Sequence, residues 1–286
     1  YCCLKPFVNF NAKHDAEVLR KAMKGIGTDE DVILMLLAAR SNAQRQEIKA
    51  AYKKAFGKDL RKDLRSELGG KLEDLIVALM YPSILYDAHE LHKAIKGVGT
   101  EDEVLIEILA SRTCDEIKDI AKAYKKEYGS KLEKDIMGDT SGHYQRLLVI
   151  LAQVKKWLSK YIYIYIERER EREHKKRVYK KIAGCDIEES IKDECTGNLE
   201  ALLLAVVKCA KSVPAYFAES IRESMRRAGT DDKSLIRIMV SRSERDMLDI
   251  RAIYKKKFGE SLYSTIQEDT EGDYQKALHY LCGGND

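Results

Sequence analysis

The sequence predicts an all-α protein built from four related helical modules, the third of them incomplete. Residues 21–48 and 93–120 are alike at a constant offset, and a third copy stands at 228–250. Within each copy the apolar residues recur three and four positions apart, which is the spacing of amphipathic helices. Modules of this kind cannot bury their apolar faces alone, so we expect them to pack into one array.

The first repeat, residues 15–86, shows the elements in order. An opening helix at about 15–24 leads into a Gly-Thr loop, and an apolar helix follows at about 29–39. An amphipathic helix begins after Ser41, and two more helices flank an acidic residue. The threonines that follow the glycines, each with acids behind it, are predicted to cap the restarting helix. These threonines are Thr28, Thr100 and Thr230.

The remaining repeats follow from the same alignment. A tail occupies residues 1–14, repeat 2 spans 87–153, and repeat 4 spans 213–286. The stretch between the second and the last copy is too short for two intact repeats. Repeat 3, residues 154–212, accordingly shows only its second half, because only YKKIAGCDI and ECTGNLEALLLAVV match repeat 1 there. That match places Glu194 where repeat 1 has Glu67.

The segment WLSKYIYIYIEREREREHKK, residues 157–176, stands where the first half of repeat 3 should be. Its alternation has the period of a β-strand, whereas the rest of the chain has helical periods. A lone strand would have no partner and isolated strands are unstable, so we favour a helix and expect no β element at 161–166.

Composition narrows the classes of function. The 51 basic residues nearly balance the 47 acidic ones, giving a net charge of +4, which argues against a nucleic-acid-binding protein. No apolar run of about 18 residues exists to span a bilayer, and no signal peptide is recognisable. The seven cysteines form no CxxC pair. We therefore expect a cytoplasmic protein.

Each intact repeat pairs a glycine loop with one acid at a fixed distance along the chain. The pairs Gly27/Glu67, Gly99/Asp139 and Gly229/Asp269 all have the same separation. A GxGT loop alone is usually a helix stop and restart, and an acid at a helix end usually offsets the helix dipole. The threefold recurrence at one separation instead favours a site for a hard cation such as calcium, which binds carbonyl and carboxylate oxygens.

These motifs resemble those of the annexin family. MKGIGT and IKGVGT, each with an acid at that fixed separation, are similar to its calcium motif, and RSNAQRQEI, GDTSGHYQRLL and GDYQKAL are also annexin-like. The resemblance implies four five-helix repeats in a curved disc, with calcium loops on the convex face that bind acidic phospholipids. It also implies a protein that is peripheral on membranes when calcium is raised, is not an enzyme, and has an N-terminal tail able to bind a protein partner.

The resemblance also implies the calcium ligands. In repeats 1 and 2 they are backbone carbonyls of the glycine loop together with the distant carboxylate. In repeat 4, Arg227 replaces the first glycine, which is a departure from the family pattern. Thr28 and Glu30 are expected to hold a weaker accessory ion. The implied sets are Met23, Gly25, Gly27 and Glu67; Ile95, Gly97, Gly99 and Asp139; and Met225, Arg227, Gly229 and Asp269.

Two other interpretations compete with the calcium site. An enzyme is poorly supported, because His89 and His92 in HELH have the wrong spacing for a zinc protease. The stronger rival is a calcium-independent helical scaffold that binds protein partners. Arg237, in an apolar run, and Arg112 with Asp87 and Glu90 resemble the polar centre between modules of the annexin family, and we expect them to form a buried structural ion-pair network.

Overall fold

The computed structural model describes residues 6–24, 27–97, 99–153, 186–226 and 229–284. Every regular element within these ranges is an α-helix, which confirms the predicted all-α class. The segment 157–176, with its predicted lack of a β element at 161–166, lies outside the described residues. The helices are α1 (Ala12–Ala22), α2 (Glu30–Ala38), α3 (Asn42–Phe56), α4 (Leu60–Glu67), α5 (Gly70–Leu79), α6 (Ser83–Lys96), α7 (Asp102–Ser111), α8 (Cys114–Tyr128), α9 (Leu132–Asp139), α10 (Gly142–Ala152), α11 (Ile187–Glu194), α12 (Gly197–Lys211), α13 (Val213–Arg226), α14 (Asp232–Arg242), α15 (Met247–Phe258), α16 (Leu262–Asp269) and α17 (Gly272–Cys282).

The helices are divided between two compact units. Unit 1 comprises residues 1–83 and 217–286, and unit 2 comprises residues 84–216. Unit 1 therefore holds repeats 1 and 4, from the two ends of the chain, while unit 2 holds repeats 2 and 3. The predicted boundary between repeats 1 and 2, at residues 86 and 87, falls inside α6, and the repeat boundaries otherwise stay predictions.

Local sequence signals explain where the third helix of a repeat begins. The Ser41 hydroxyl accepts a hydrogen bond from the Gln44 backbone N–H, and the Gln44 side chain accepts one from the Ser41 N–H. Thr113 and Glu116 form the same reciprocal capping box at the start of α8. Capping boxes satisfy backbone donors that a helix start leaves open, so these two helices have well-defined beginnings.

The predicted caps of the second helix were wrong by one residue. Asp29 caps α2 by accepting a hydrogen bond from the Val32 N–H, and Asp231 caps α14 in the same way from Ser234. Glu101 holds the capping position of α7. The threonines in front of these acids have a different role because their hydroxyls are bonded elsewhere, as described below.

Buried tyrosines position the fourth helix of each intact repeat. Tyr52, Tyr124 and Tyr254, on α3, α8 and α15, are fully buried. Their hydroxyls bond to Asp63 at 2.7 Å, Asp135 at 2.8 Å and Thr265 at 3.2 Å, respectively. Burial and the bond to Asp63 raise the pKa of Tyr52 to about 12, so this hydroxyl remains a donor at neutral pH. These bonds fix the helices that end at the predicted site acids.

The expected ion pair between Asp87 and Arg112 is present. Arg112 is bonded through Nε and Nη2 to the two oxygens of Asp87, at 2.7 and 2.8 Å, and both side chains are buried. Burial alone would lower the pKa of Arg112, but Asp87 and the nearby charge of Glu107 raise it above its ordinary value. Asp15 and Arg40 form the corresponding pair in repeat 1, at 2.6 Å. Arg237 is also buried, and it donates to Ser234.

No helix in the described part of the chain combines the length and the apolar character that crossing a bilayer requires.

Candidate metal sites

Three loops of the same construction follow the first helix of repeats 1, 2 and 4. In each, the backbone N–H of the residue after the threonine donates to a carbonyl near the end of the preceding helix. Because the closing bond recurs in all three repeats, the loops are closed turns rather than open connections. The bonds are Asp29 to Ala22 at 3.0 Å, Glu101 to Ala94 at 3.0 Å, and Asp231 to Ser224 at 2.8 Å.

The second glycine of each loop has a left-handed backbone. The φ angles are +91° at Gly27, +81° at Gly99 and +106° at Gly229. Residues with a β-carbon are strained in this region, so the conformation explains why glycine stands at this position in every copy. The first glycine differs, because Gly97 does not have a left-handed φ. Its counterparts Gly25 and Arg227 lie outside the described residues.

A threonine hydroxyl joins each loop to its distant acid. Thr28 Oγ1 donates to Glu67 Oε2 at 2.8 Å. Thr100 donates to Asp139 Oδ2, and Thr230 to Asp269 Oδ2, each at 2.6 Å. The structure therefore brings the same pair of groups together in three repeats, although they are far apart in sequence. The sequence indicates the acid, but it assigns the threonines to capping and Thr28 also to an accessory ion, not to a bond with that acid.

The acids occupy matching corners between two helices. Glu67, Asp139 and Asp269 are the last residues of α4, α9 and α16, which are equal in length. Glu67 and Asp139 are exposed to solvent, and Asp269 is partly exposed. A carboxylate held at the surface beside a loop can accept an ion from solution without a large rearrangement.

The oxygen set fits a hard cation. Met23, Ile95 and Met225 lie at the carboxyl ends of α1, α6 and α13, where unpaired carbonyls and the helix dipole favour positive charge. Within the ranges that the structure describes, no three His, Cys, Asp or Glu side chains are grouped as metal ligands. The predicted ligands are carbonyl oxygens and one carboxylate in each repeat, which is a donor set that suits calcium better than softer metals.

Thr28 and Glu30, the predicted ligands of an accessory ion, are arranged differently from the main sites. The Thr28 hydroxyl is bonded to Glu67, whereas Glu30 lies close to the Asp273 carboxylate at the start of α17. Partial burial and the nearby Asp273 carboxylate raise the pKa of Glu30. The two side chains thus have different neighbours, and an accessory ion at Thr28 and Glu30 stays a prediction.

Comparison with known proteins places these features in a family. The annexin family model matches residues 14–79, 86–151 and 216–281, which together are more than half of the chain. Annexin A5 of Macaca fascicularis is 53% identical over 311 residues, covering 98% of this chain and 97% of the relative. Because that alignment is longer than the 286 residues of this chain, the relative carries residues that this chain lacks.

Solved structures give the same result. A structure of chicken annexin V has a TM-score of 0.88 and 51% identity, covering 99% of each chain. A calcium-bound annexin (Sm)1 has a TM-score of 0.83 and 32% identity, covering 99% of this chain and 93% of the other. Annexins as a family bind calcium and are calcium-dependent phospholipid-binding proteins that are generally not enzymes. With three matched repeats, a relative that is half identical along nearly its whole length, and the four-repeat fold, this chain belongs to the annexin family.

Proposed function

We propose that this chain binds anionic phospholipid membranes reversibly through three calcium sites, in repeats 1, 2 and 4. One observation carries the proposal: in each of these repeats a threonine of the glycine loop is bonded to the predicted ligand carboxylate. The ligands proposed are the loop carbonyls and carboxylates named from the sequence, with Glu67, Asp139 and Asp269 as the charged members.

The chemistry of such a site explains why a membrane is needed. Neutral carbonyls and a single carboxylate neutralise only part of the charge of a divalent ion, and water completes its coordination. A lipid phosphate replaces one of these waters, so that calcium bridges protein and membrane. Several sites on one molecule then reinforce each other, because the second contact forms at a high effective concentration. Lys24 and Lys96, both exposed beside the loops, add roughly 1 kcal/mol each near an anionic surface.

The repeat 4 site is included in spite of Arg227. At the equivalent position of repeat 2, Gly97 does not have a left-handed φ, so the backbone there is accessible to other residues. A β-carbon at Gly97 would lie 3.3 Å from the Lys93 carbonyl oxygen, which is close but not prohibitive. Arginine at this place is therefore compatible with a working loop, although its positive charge reduces the attraction for calcium.

Glu194 of repeat 3 is proposed not to bind calcium. It ends α11 as Glu67 ends α4, and it is exposed. The sequence between residues 154 and 194 has no GxGT motif to supply the loop carbonyls. A carboxylate alone at a helix end gives too few oxygens for a calcium site.

A second proposal concerns the N-terminal residues as a binding site for a protein partner. The Phe7 backbone forms two hydrogen bonds with the Gln44 side chain, and the Arg40 guanidinium lies 3.8 Å from the centre of the Phe7 ring. Val8 is nonetheless 79% exposed. An anchored segment that presents apolar surface is suited to protein contact.

Co-sedimentation with phosphatidylserine vesicles tests the main proposal. We expect binding in calcium and release by a chelator, because the ion itself forms the bridge. Modest added salt should release less protein than the chelator, since salt screens the lysines but leaves ion coordination largely intact. Equal sedimentation in calcium and in excess chelator would instead support the calcium-independent scaffold.

A further inference from the structure

The two proposed calcium sites of unit 1 contact each other through their supporting helices. Lys71 Nζ lies 2.7 Å from Asp232 Oδ2. Lys71 is the second residue of α5 and comes shortly after Glu67 in sequence. Asp232 is the first residue of α14 and comes shortly after Gly229. The acid corner of repeat 1 is thereby joined to the glycine loop of repeat 4.

A reciprocal contact joins the acid corner of repeat 4 to the loop of repeat 1. Lys276 Nζ lies 2.8 Å from Asp31 Oδ1 and 2.7 Å from Asp273 Oδ1. Asp273 stands at the start of α17, shortly after Asp269. The two sites are thus connected twice, and each connection runs from the corner of one to the loop of the other.

A contact at the equivalent positions occurs in unit 2, at the corner of the repeat whose sequence has no GxGT motif. Asn198 Nδ2 donates to Asp102 Oδ2 at 2.6 Å. Asn198 is the second residue of α12, just after the Glu194 corner, and Asp102 begins α7 directly after the loop of repeat 2. A corner without the calcium motif therefore still contacts the helix start after a neighbouring loop, so this support is a feature separate from binding an ion.

A contribution to folding stability does not by itself explain why lysines stand at these two positions. The Lys71 side chain is 55% exposed and that of Lys276 is 51% exposed, and exposed ion pairs typically contribute little to folding. The Asp232 end is firmer, because its side chain is only 20% exposed. The pairs are distinguished by their position, because each connects the acid corner of one proposed site to the loop of the other.

We infer that Lys71 and Lys276 are positioning residues that couple calcium binding between repeats 1 and 4. The inference rests on the function proposed above. Calcium bound between Glu67 and its loop restricts the corner between α4 and α5, and Lys71 transmits that order to Asp232 and the repeat 4 loop. Lys276 transmits in the opposite direction, as reciprocity of coupling requires.

The sign of the effect separates positioning from simple electrostatics. Lysine near a cation site repels calcium, so charge alone predicts that Lys71→Met tightens calcium binding. Positioning predicts the opposite. We expect Lys71→Met and Lys276→Met each to raise the calcium concentration for half-saturation about threefold, near the lower end of typical coupling between sites. Lys71→Arg, which keeps the charge contact, should restore most of the affinity.

Calorimetric titration with calcium alone, in the full chain and without vesicles, makes the measurement. The Asp139→Asn background moves binding at repeat 2 to higher calcium concentration, and the absence of lipid removes any lysine contact with a membrane. Lys62→Met, an exposed lysine on α4, is the matched control and should leave the midpoint unchanged or slightly lowered. In the double lysine variant, Asp269→Asn should no longer weaken the repeat 1 site.

The titrations distinguish a loss of coupling from a loss of the calcium sites themselves. An unchanged or lowered midpoint in both lysine variants overturns the coupling while leaving the calcium sites intact. Absence of calcium binding in the Asp139→Asn background overturns the proposed sites and the coupling together, which is a distinguishable result. Should Lys71→Met fail to fold, as judged by thermal unfolding, Lys276→Met gives the same test from the other side.

Discussion

The corner at Glu67 and the corner at Glu194 are built alike, but only the first has a GxGT motif in the sequence of its own repeat. Each acid ends a short helix, and two extended residues then lead to a glycine with φ of +58° at Gly70 and +65° at Gly197. At Glu67 the carboxylate accepts a hydrogen bond from Thr28 of the loop. The acid corner therefore belongs to the fold of the repeat, whereas we propose that ion binding requires the loop as well.

The largest expected effect is the loss of a charged ligand where a loop is present. Glu67→Gln should weaken calcium binding at its own site about tenfold, equal to ~1.4 kcal/mol, because it removes the only charged ligand proposed there. Asp139→Asn should act similarly. The calcium midpoint for co-sedimentation with phosphatidylserine vesicles, with circular dichroism as a folding check, measures this.

Glu194→Gln is the matched control for that prediction. The side chain occupies the same place in its repeat and is exposed, so the substitution changes charge and shape equally. We expect no change in the calcium midpoint. A shift as large as that of Glu67→Gln would show that repeat 3 binds calcium, and would end the distinction between the two corners.

A second test compares glycines that have the same backbone conformation in different places. Gly99 in the loop and Gly197 at the repeat 3 corner both have left-handed φ, +81° and +65°. Alanine at either should lower the free energy of unfolding by about 1 kcal/mol through backbone strain. Only Gly99→Ala should raise the calcium midpoint, by about fivefold, because only there does strain displace a ligand carbonyl, and ~1 kcal/mol corresponds to that factor.

Denaturant unfolding and vesicle co-sedimentation together provide both readings for the glycine pair. If Gly197→Ala raised the calcium midpoint as much as Gly99→Ala, loss of stability alone would explain the effect. The left-handed glycine of the loop would then have no specific role in calcium binding.

Much of the fold and part of the site could be predicted from local patterns. The constant offset between repeats 1 and 2, the helical periods and the Ser41–Gln44 capping box are all readable along the chain, because each involves residues near in sequence or repeated in the same order. The fixed separation of Gly27 and Glu67 indicated which acid to pair with which loop. As an annexin, the chain is a calcium-dependent phospholipid-binding protein in the general sense of its family.

What the sequence could not provide were contacts that depend on packing between repeats. Thr28 was expected to cap α2, but an adjacent acid, Asp29, serves that role and leaves the hydroxyl to Glu67. Lys71 and Asp232 lie in repeats from opposite ends of the chain, and no local pattern connects them. Their pairing becomes apparent only once repeats 1 and 4 are known to share a unit.

A smaller effect is expected from the hydroxyl that joins loop and acid. Thr28→Val keeps the shape of the side chain but removes the donor to Glu67 Oε2. The carboxylate is then less restricted near the loop, and we expect calcium affinity to fall about threefold, in line with the loss of one modest hydrogen bond. Thr196→Val, at the repeat 3 corner, is the control and should leave the calcium midpoint where it was.

The smallest expected effect concerns repeat 4. This repeat has the glycine loop motif, but Arg227 replaces the first glycine. Arg227→Gly removes a positive charge near the proposed ion and relieves the crowding that a β-carbon meets at the equivalent Gly97, 3.3 Å from the Lys93 carbonyl oxygen. Both changes favour calcium, so we expect the repeat 4 site to tighten about twofold, the scale of one screened charge at the surface. Arg227→Ala separates the causes, since it removes the charge but keeps the β-carbon. Calcium calorimetry in a Glu67→Gln and Asp139→Asn background would report this site alone, and weaker binding by Arg227→Gly would mean that the arginine supports the loop rather than opposing the ion.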